Sequence, residues 1–138
     1  MKISVNSFCP CGSTKKFKKC CKIFHNGSNA KTALELMKSR YSAFAANDYK
    51  YIIKTTHREN PDYTLDTQSW KDSILEFAKN TQFKKLEIIE FENGEVESFV
   101  TFKAIIFQGG LDVSFCEKSR FIKEDGVWLY HSGVFVDE

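Results

Sequence analysis

Four cysteines within thirteen positions constrain this chain more than any other feature. The segment reads Cys9-Pro10-Cys11-Gly12-Ser13-Thr14-Lys15-Lys16-Phe17-Lys18-Lys19-Cys20-Cys21. Residues 1–28 offer Phe8, Phe17, Ile23 and Phe24 as their larger apolar anchors, too little area for a packed core. Something other than hydrophobic burial must hold the segment. Zinc takes four thiolates tetrahedrally at about 2.3 Å, and such structural sites contribute about 10–16 kcal/mol to a small module. Pro10 stiffens the first turn and Gly12 lets the chain reverse, so Cys9 and Cys11 can aim at one point. The adjacent Cys20 and Cys21 close the site from a short helical turn. The expected cofactor is one Zn2+ on Cys9, Cys11, Cys20 and Cys21.

Disulfides are the alternative. Bridges within either pair are strained, and bridges across the pairs need an oxidising compartment. The first residues lack an apolar h-region, so no signal peptide is expected. No run of about 18 uncharged apolar residues suggests a membrane span. The expected location is the cytoplasm, where clustered cysteines more often bind metal than each other. A rubredoxin-like iron site stays open beside zinc, which is favoured because nothing nearby suggests redox work. Four thiolates leave no free ligand position, so the ion is given no catalytic role. His25 is a competing ligand type, but the thiolates already complete the set.

A net charge of +2 gives no global argument for nucleic acid or membrane. The lysines are uneven, however: Lys15, Lys16, Lys18, Lys19 and Lys22 fall within eight positions. They can be a solvated face, compensation for a four-thiolate ion, or a docking patch for an anionic partner.

Asn26-Gly27-Ser28-Asn29 reads as a linker, dividing a zinc motif over 1–28 from a domain over 29–138. Thr32-Ala33-Leu34-Glu35 is a capping box, followed by Leu34, Met37, Tyr41 and Phe44 at helical spacing. Asp48 caps a short second helix carrying Tyr51 and Ile52, residues 57–66 form a loop, and Trp70, Ile74 and Phe77 mark a third helix. Beyond Phe83, hairpin signals at Asn93-Gly94, Gly109-Gly110 and Asp125-Gly126 separate strands over about 84–92, 95–108, 111–124 and 127–136. Helices followed by a four-stranded antiparallel meander make an α+β fold.

The string from Cys9 to Cys21 resembles the SEC-C zinc motif at the C-terminal tail of the SecA preprotein translocase motor. There it is associated with binding the chaperone SecB and with ribosome contact. Thr14 stands where glycine is common, which implies a slightly different turn. Leu36-Met37-Lys38-Ser39-Arg40-Tyr41-Ser42-Ala43-Phe44, Glu117-Lys118-Ser119-Arg120-Phe121 and Trp128-Leu129-Tyr130 extend the resemblance over nearly the whole chain. With the cysteine motif they are similar to the YchJ-like family of uncharacterised bacterial proteins. Longer relatives carry a second SEC-C motif at the C-terminus, and this chain reaches Glu138 without one. The resemblance implies a nuclear-transport-factor-2-like domain, about three helices packed into a curved four-stranded antiparallel sheet to form a cone with an internal cavity. That fold serves ketosteroid isomerase, scytalone dehydratase and many binding or dimerisation modules, so fold alone assigns no function.

Alternation puts Leu111, Val113, Phe115, Glu117, Ser119 and Phe121 on one face of the third strand, with Cys116 on the other. Glu117 therefore points the way of large apolar side chains. A carboxylate there is a general base or anchor inside the cone, a structural group satisfied by Arg40 or His57, or a group released to solvent by a bulge. The candidate pocket is Arg40, Tyr41, His57, Trp70, Glu117, Ser119, Phe121 and Trp128, with Glu117 and His57 as candidate catalytic residues. His131 is expected at the surface, and Cys116 as small packing.

The leading expectation is a cytoplasmic accessory protein. Its zinc knob and Lys15, Lys16, Lys18 and Lys19 dock an acidic protein or ribosomal partner, while the cone binds a small apolar ligand or forms a homodimer. The alternative is an isomerase- or dehydratase-type enzyme with Glu117 as general base. Direct nucleic-acid binding is weaker, because few aromatic residues interleave with the lysines.

Overall fold

The structure is a computed structural model describing residues 3–137. The N-terminal segment doubles back as a short hairpin. Phe8 bridges Lys16, the Cys9 amide donates to Lys15 O at 2.8 Å, and the Phe17 amide donates to Ser7 O at 2.8 Å. A 3-10 turn over Phe17–Lys19 leads into α1, Cys21–His25. The buried residues of this knob are Cys9, Cys11, Cys21 and Phe17, three thiols and one ring. The apolar poverty expected from the sequence is physically present.

The capping box opens α2, Ala33–Ala45. Thr32 Oγ1 accepts from the Glu35 amide at 3.1 Å. Glu35 Oε1 reaches one residue further back than the usual capping box, to the Lys31 amide at 2.7 Å. Asp48 caps α3, Tyr49–Lys54, and Asp66, expected as the end of a loop, is the cap of α4, Thr67–Lys79. Helix α2 is buried on two flanks for two different reasons. Ser39 and Ser42 face the knob, where Ser39 O takes His25 Nε2 at 2.8 Å and Ser42 Oγ lies 3.4 Å from Cys9 Sγ. Met37, Tyr41 and Phe44, spaced i, i+4, i+7, face the cone cavity.

His25 fastens the two parts. Its ring lies between Phe17 and Tyr51, with centroids at 5.5 and 4.7 Å. Burial holds its pKa below the ordinary 6.5, against the opposing pull of Ser39 O and Asp48. The ring is thus a neutral structural wedge and not a metal ligand.

The sheet is antiparallel in the order β1, Gln82–Glu92; β2, Glu97–Gln108; β4, Phe115–Glu124; β5, Val127–Phe135. A two-residue strand β3, Leu111–Asp112, pairs with the end of β2. The expected third strand is thus interrupted at 113–114. There Ser114 Oγ takes the Ile106 amide at 3.1 Å and Asp112 Oδ1 takes the Ser114 amide at 2.9 Å. The register continues across the break, from Phe107↔Asp112 to Ala104↔Phe115. Leu111 is accordingly a hairpin residue, 71% exposed, and does not join the inward row. Gly109, Gly110, Asp125 and Gly126 all have positive φ, as two-residue turns of this kind require. Asn93-Gly94 differs. The connection runs over 93–96, and a Cβ on Gly94 would sit 2.1 Å from the Glu97 carbonyl oxygen.

Bulges at Phe83/Lys85 and Ile88/Glu90 in β1, and beside Arg120/Phe121 where β5 carries the extra residue His131, bend the sheet. The helices lie against its concave face, where Leu36, Ile52 and Ile74 meet Val100, Phe102 and Phe121. The edge of β5 is covered at Tyr130, which exchanges backbone hydrogen bonds of 2.8 Å with Thr55 and His57. Among the described residues, no helix is long and apolar enough to cross a membrane.

Two predictions follow from these packing constraints. Gly94→Ala should destabilise the protein by about 1–3 kcal/mol, since a main-chain oxygen blocks the new methyl group. An unchanged denaturation midpoint would contradict this. The His25 ring should titrate below 6.5 by NMR. Below that pH the unfolded chain binds a proton that the folded one refuses, so stability falls with pH until the lowered folded pKa is passed. A midpoint at or above 6.5 would show that the wedge is not neutral.

Candidate metal centre and cone cavity

The hairpin and α1 bring Cys9, Cys11, Cys20 and Cys21 together, with their sulfur atoms within 4.8 Å of one another. None of the five cysteines is in a disulfide. Cys11 and Cys20 stand 3.6 Å apart at sulfur. A tetrahedral ion with bonds of about 2.3 Å spaces its sulfur ligands by about 3.8 Å, so the set fits a single metal ion. As ligands, the sulfurs would be thiolates, with Ser13 Oγ at 3.1 Å from Cys20 and Ser42 Oγ at 3.4 Å from Cys9 donating to them. Without an ion the crowded thiols share protons. Hydrogen bonds to Cys11 and Cys9, followed by burial, push Cys21 far up, while hydrogen bonds from Cys11 and Cys21 pull Cys9 down. Binding a divalent ion replaces those protons, so acid opposes it.

Two conformations make the turn possible. Gly12 has φ of 84° and Thr14 has φ of 69°. Threonine therefore takes up the left-handed backbone natural to the glycine common at that place. The turn keeps that shape, and the β-branched side chain bears the strain.

The cone holds a cavity of about 250 Å3 that opens to solvent, with Tyr41, Phe44, Phe77 and Phe83 forming one wall. Their rings meet edge to face in sequence, at 5.6 Å for Tyr41–Phe83, 6.0 Å for Phe77–Phe83 and 5.7 Å for Phe44–Phe77. From β4, Phe115, Glu117, Ser119 and Phe121 enter the same space. An adjoining, more open hollow of about 510 Å3 shares Arg40, Asp62 and Tyr130 with it and is walled by Trp70.

Glu117 is half-buried. Its Oε2 accepts from the hydroxyls of Ser119 and of Tyr130, the latter at 2.9 Å. Neither Arg40 nor His57 pairs with it. The Arg40 guanidinium gives Nη1 to Ile52 O, Thr55 Oγ1 and Thr56 Oγ1 at 3.1, 2.7 and 3.1 Å, and lies over the Tyr130 ring at 4.7 Å. Burial lowers its pKa to about 10, still a cation at neutral pH. Burial first, and Glu117 second, push the Tyr130 hydroxyl up, so it remains a donor. The Tyr41 hydroxyl is pushed up to about 12 by burial. It has no partner at hydrogen-bond geometry, and the Lys85 main chain opposes the shift.

Of the sequence-expected pocket, Arg40, Tyr41, Glu117, Ser119 and Phe121 meet in the cavity, and Trp70 lines the adjoining hollow. His57 and Trp128 line neither. His57 is 2% exposed and points at the far end of the β4–β5 hairpin. Its Nδ1 accepts the Glu59 amide at 3.0 Å, which leaves Nε2–H to donate to Glu124 at 2.9 Å. His131, the bulge residue, contacts Glu59 at 3.1 Å, so this cluster is a clasp between loop and sheet. Trp128 is 3% exposed within the packed core, with Lys123 over its ring. Tyr130, Ser42 and Gly133 are not among the sequence-expected site residues, although a glycine inside a strand is itself a signal of close approach.

The YchJ middle nuclear-transport-factor-2-like domain family matches residues 32–133. A UPF0225 protein of Vibrio parahaemolyticus is 37% identical over 96% of this chain and 77% of its own length. Two solved SEC-C motif containing proteins are also similar. The one from Rhodopseudomonas palustris is 30% identical with a TM-score of 0.81, over 95% of this chain and all of that one. The one from Psychrobacter arcticus is 25% identical with a TM-score of 0.76, over 97% and 85%. The chain belongs to the UPF0225 family of YchJ-like proteins, a SEC-C motif joined to a nuclear-transport-factor-2-like domain.

Thr14→Gly should stabilise the knob by about 1 kcal/mol by relieving the left-handed strain. The check is chelator competition, where the variant should hold its metal at higher chelator concentration. Weaker retention would show that the threonine conformation is not strained.

Proposed function

We propose that this chain is a cytoplasmic accessory protein in which a zinc-held basic knob docks an acidic protein partner, as on a chaperone or a ribosome, while the cone holds a small ligand. Zinc is the ion the donor set favours, four thiolates with no open position. It would hold the knob's shape and leave all recognition to side chains. One observation carries the docking half. Lys15, Lys16, Lys18 and Lys19 are exposed and, among the described residues, join no ion pair, while the sequence has no Asp or Glu before Glu35. The segment itself is thus one-signed apart from its sulfurs, and Asp48 of the larger domain approaches it at His25. It is also rigidly mounted, because Cys9 and His25 tie the knob to α2. Fixed cations on a stiff support favour a complementary acidic surface and speed encounter with it.

A second reading, an enzyme of the isomerase or dehydratase type, draws on Glu117, whose carboxylate reaches an aromatic cavity. It is the weaker reading because the other candidate base, His57, is spent on Glu124 and the β5 edge. Glu117 would have to act without a histidine beside it.

The docking half is tested with an oligoglutamate peptide and fluorescence anisotropy. Reversing Lys15, Lys16, Lys18 and Lys19 to Glu should weaken binding at least tenfold, and raising salt from about 50 to 500 mM should weaken the unaltered protein similarly. Binding indifferent to both would overturn it. Tighter binding of single-stranded RNA than of the peptide would move the assignment to nucleic acid.

A further inference from the structure

We infer that the cone cavity is a binding site for a small one-ring aromatic amine, with the ring against Phe44, Phe77 and Phe83 and the ammonium group on Glu117. This rests on the reading of the cone as a ligand pocket and specifies what enters it.

The size comes first. About 150 Å3 of apolar cavity suffices for benzene, so about 250 Å3 admits one ring and a short polar arm. The edge-to-face wall offers π faces, which attract both an aromatic ring and a cation.

The placement of the carboxylate is the second observation. Glu117 Oε2 receives Ser119 and Tyr130, while Oε1 has no partner among the described residues. The site is built to hold it there. Gly133 lies opposite Ser119 on β5, and a Cβ at Gly133 would meet Glu117 Oε2 at 2.2 Å, its Cδ at 2.5 Å and the Tyr130 hydroxyl at 2.8 Å. Gly133 is not a positive-φ glycine, so the backbone does not demand it. The space for the carboxylate does. A strand gives up packing and β-propensity at such a position, and what it receives here is a carboxylate fixed by two hydroxyls with one oxygen left open.

Charge decides the head group. Glu117 and Asp62 line the cavity against the single cation Arg40. Arg40 keeps its charge, held by hydrogen bonds to oxygens of Ile52, Thr55 and Thr56 and by the Tyr130 face, so the two carboxylates outnumber it by one. One negative charge is left without its counter-ion, and a half-buried carboxylate gains from receiving one. An ammonium group brings three donors. The open Glu117 oxygen can accept one of them.

The test uses the full metal-loaded chain and three matched probes, benzylamine, benzyl alcohol and benzoate, titrated by NMR at neutral pH. Benzylamine should saturate, shifting resonances of Glu117, Tyr130 and Phe83, and should bind at least tenfold tighter than the other two. Glu117→Gln should erase that preference without lowering the thermal midpoint. Gly133→Ala should do the same by displacing the carboxylate. Benzyl alcohol or benzoate binding as tightly as benzylamine would overturn the amine assignment and leave the pocket standing. Saturation by none of the three would overturn both. The comparison among probes on the unaltered protein decides the matter even if a variant fails to fold.

Discussion

Convergence of four sulfurs on one point substitutes for a hydrophobic core across the first two dozen residues. The knob buries three thiols and one phenylalanine ring, an area whose transfer free energy is only a few times about 2 kcal/mol against the entropy of ordering each residue at about 1–2 kcal/mol. Burial alone does not balance that cost. A single ion held by Cys9, Cys11, Cys20 and Cys21 would contribute more than that burial does, about 10–16 kcal/mol. The hairpin that aims Cys9 and Cys11, the turn that delivers Cys20 and Cys21, and the strained Thr14 conformation all make sense as ways to present sulfurs.

The rigidity passes into the larger domain through α2. One flank of this helix carries Ser39 and Ser42, bonded to His25 and Cys9. The flanks between them carry Arg40, Tyr41 and Phe44 into the cone. A side chain on the metal side and one on the cavity side are therefore neighbours on one helix. The lysine face on the outside and the aromatic space on the inside share a single support, α2.

Local patterns were legible in the sequence, and long-range ones were not. The cysteine spacing, the Thr32–Glu35 box and the alternation through Phe115, Glu117, Ser119 and Phe121 each depend on a few neighbouring residues, and each appears in the structure, the box with Glu35 reaching Lys31 in place of Thr32. Glu117 does turn inward, though toward Ser119 and Tyr130 in place of the expected Arg40 or His57. On β5, Tyr130 pairs with Phe121 in the register set by the turn, and a bulge at His131 shifts the residues beyond it by one, which sets Gly133 opposite Ser119. No sequence period announces a bulge. Sequence alone makes His57, in the loop after α3, a pocket candidate. The loop instead crosses the β5 edge, pairing with Tyr130 and turning the ring toward Glu124. Only the tertiary path of the loop could reveal that.

The central claim is that sulfur ligation organises the N-terminal knob, and native mass spectrometry of the chain purified under reducing conditions tests it most directly. The account predicts a folded charge-state envelope carrying one divalent metal ion per chain, with loss of that ion by chelation broadening the envelope. A folded envelope at the mass of the metal-free chain, with four free thiols, would contradict it.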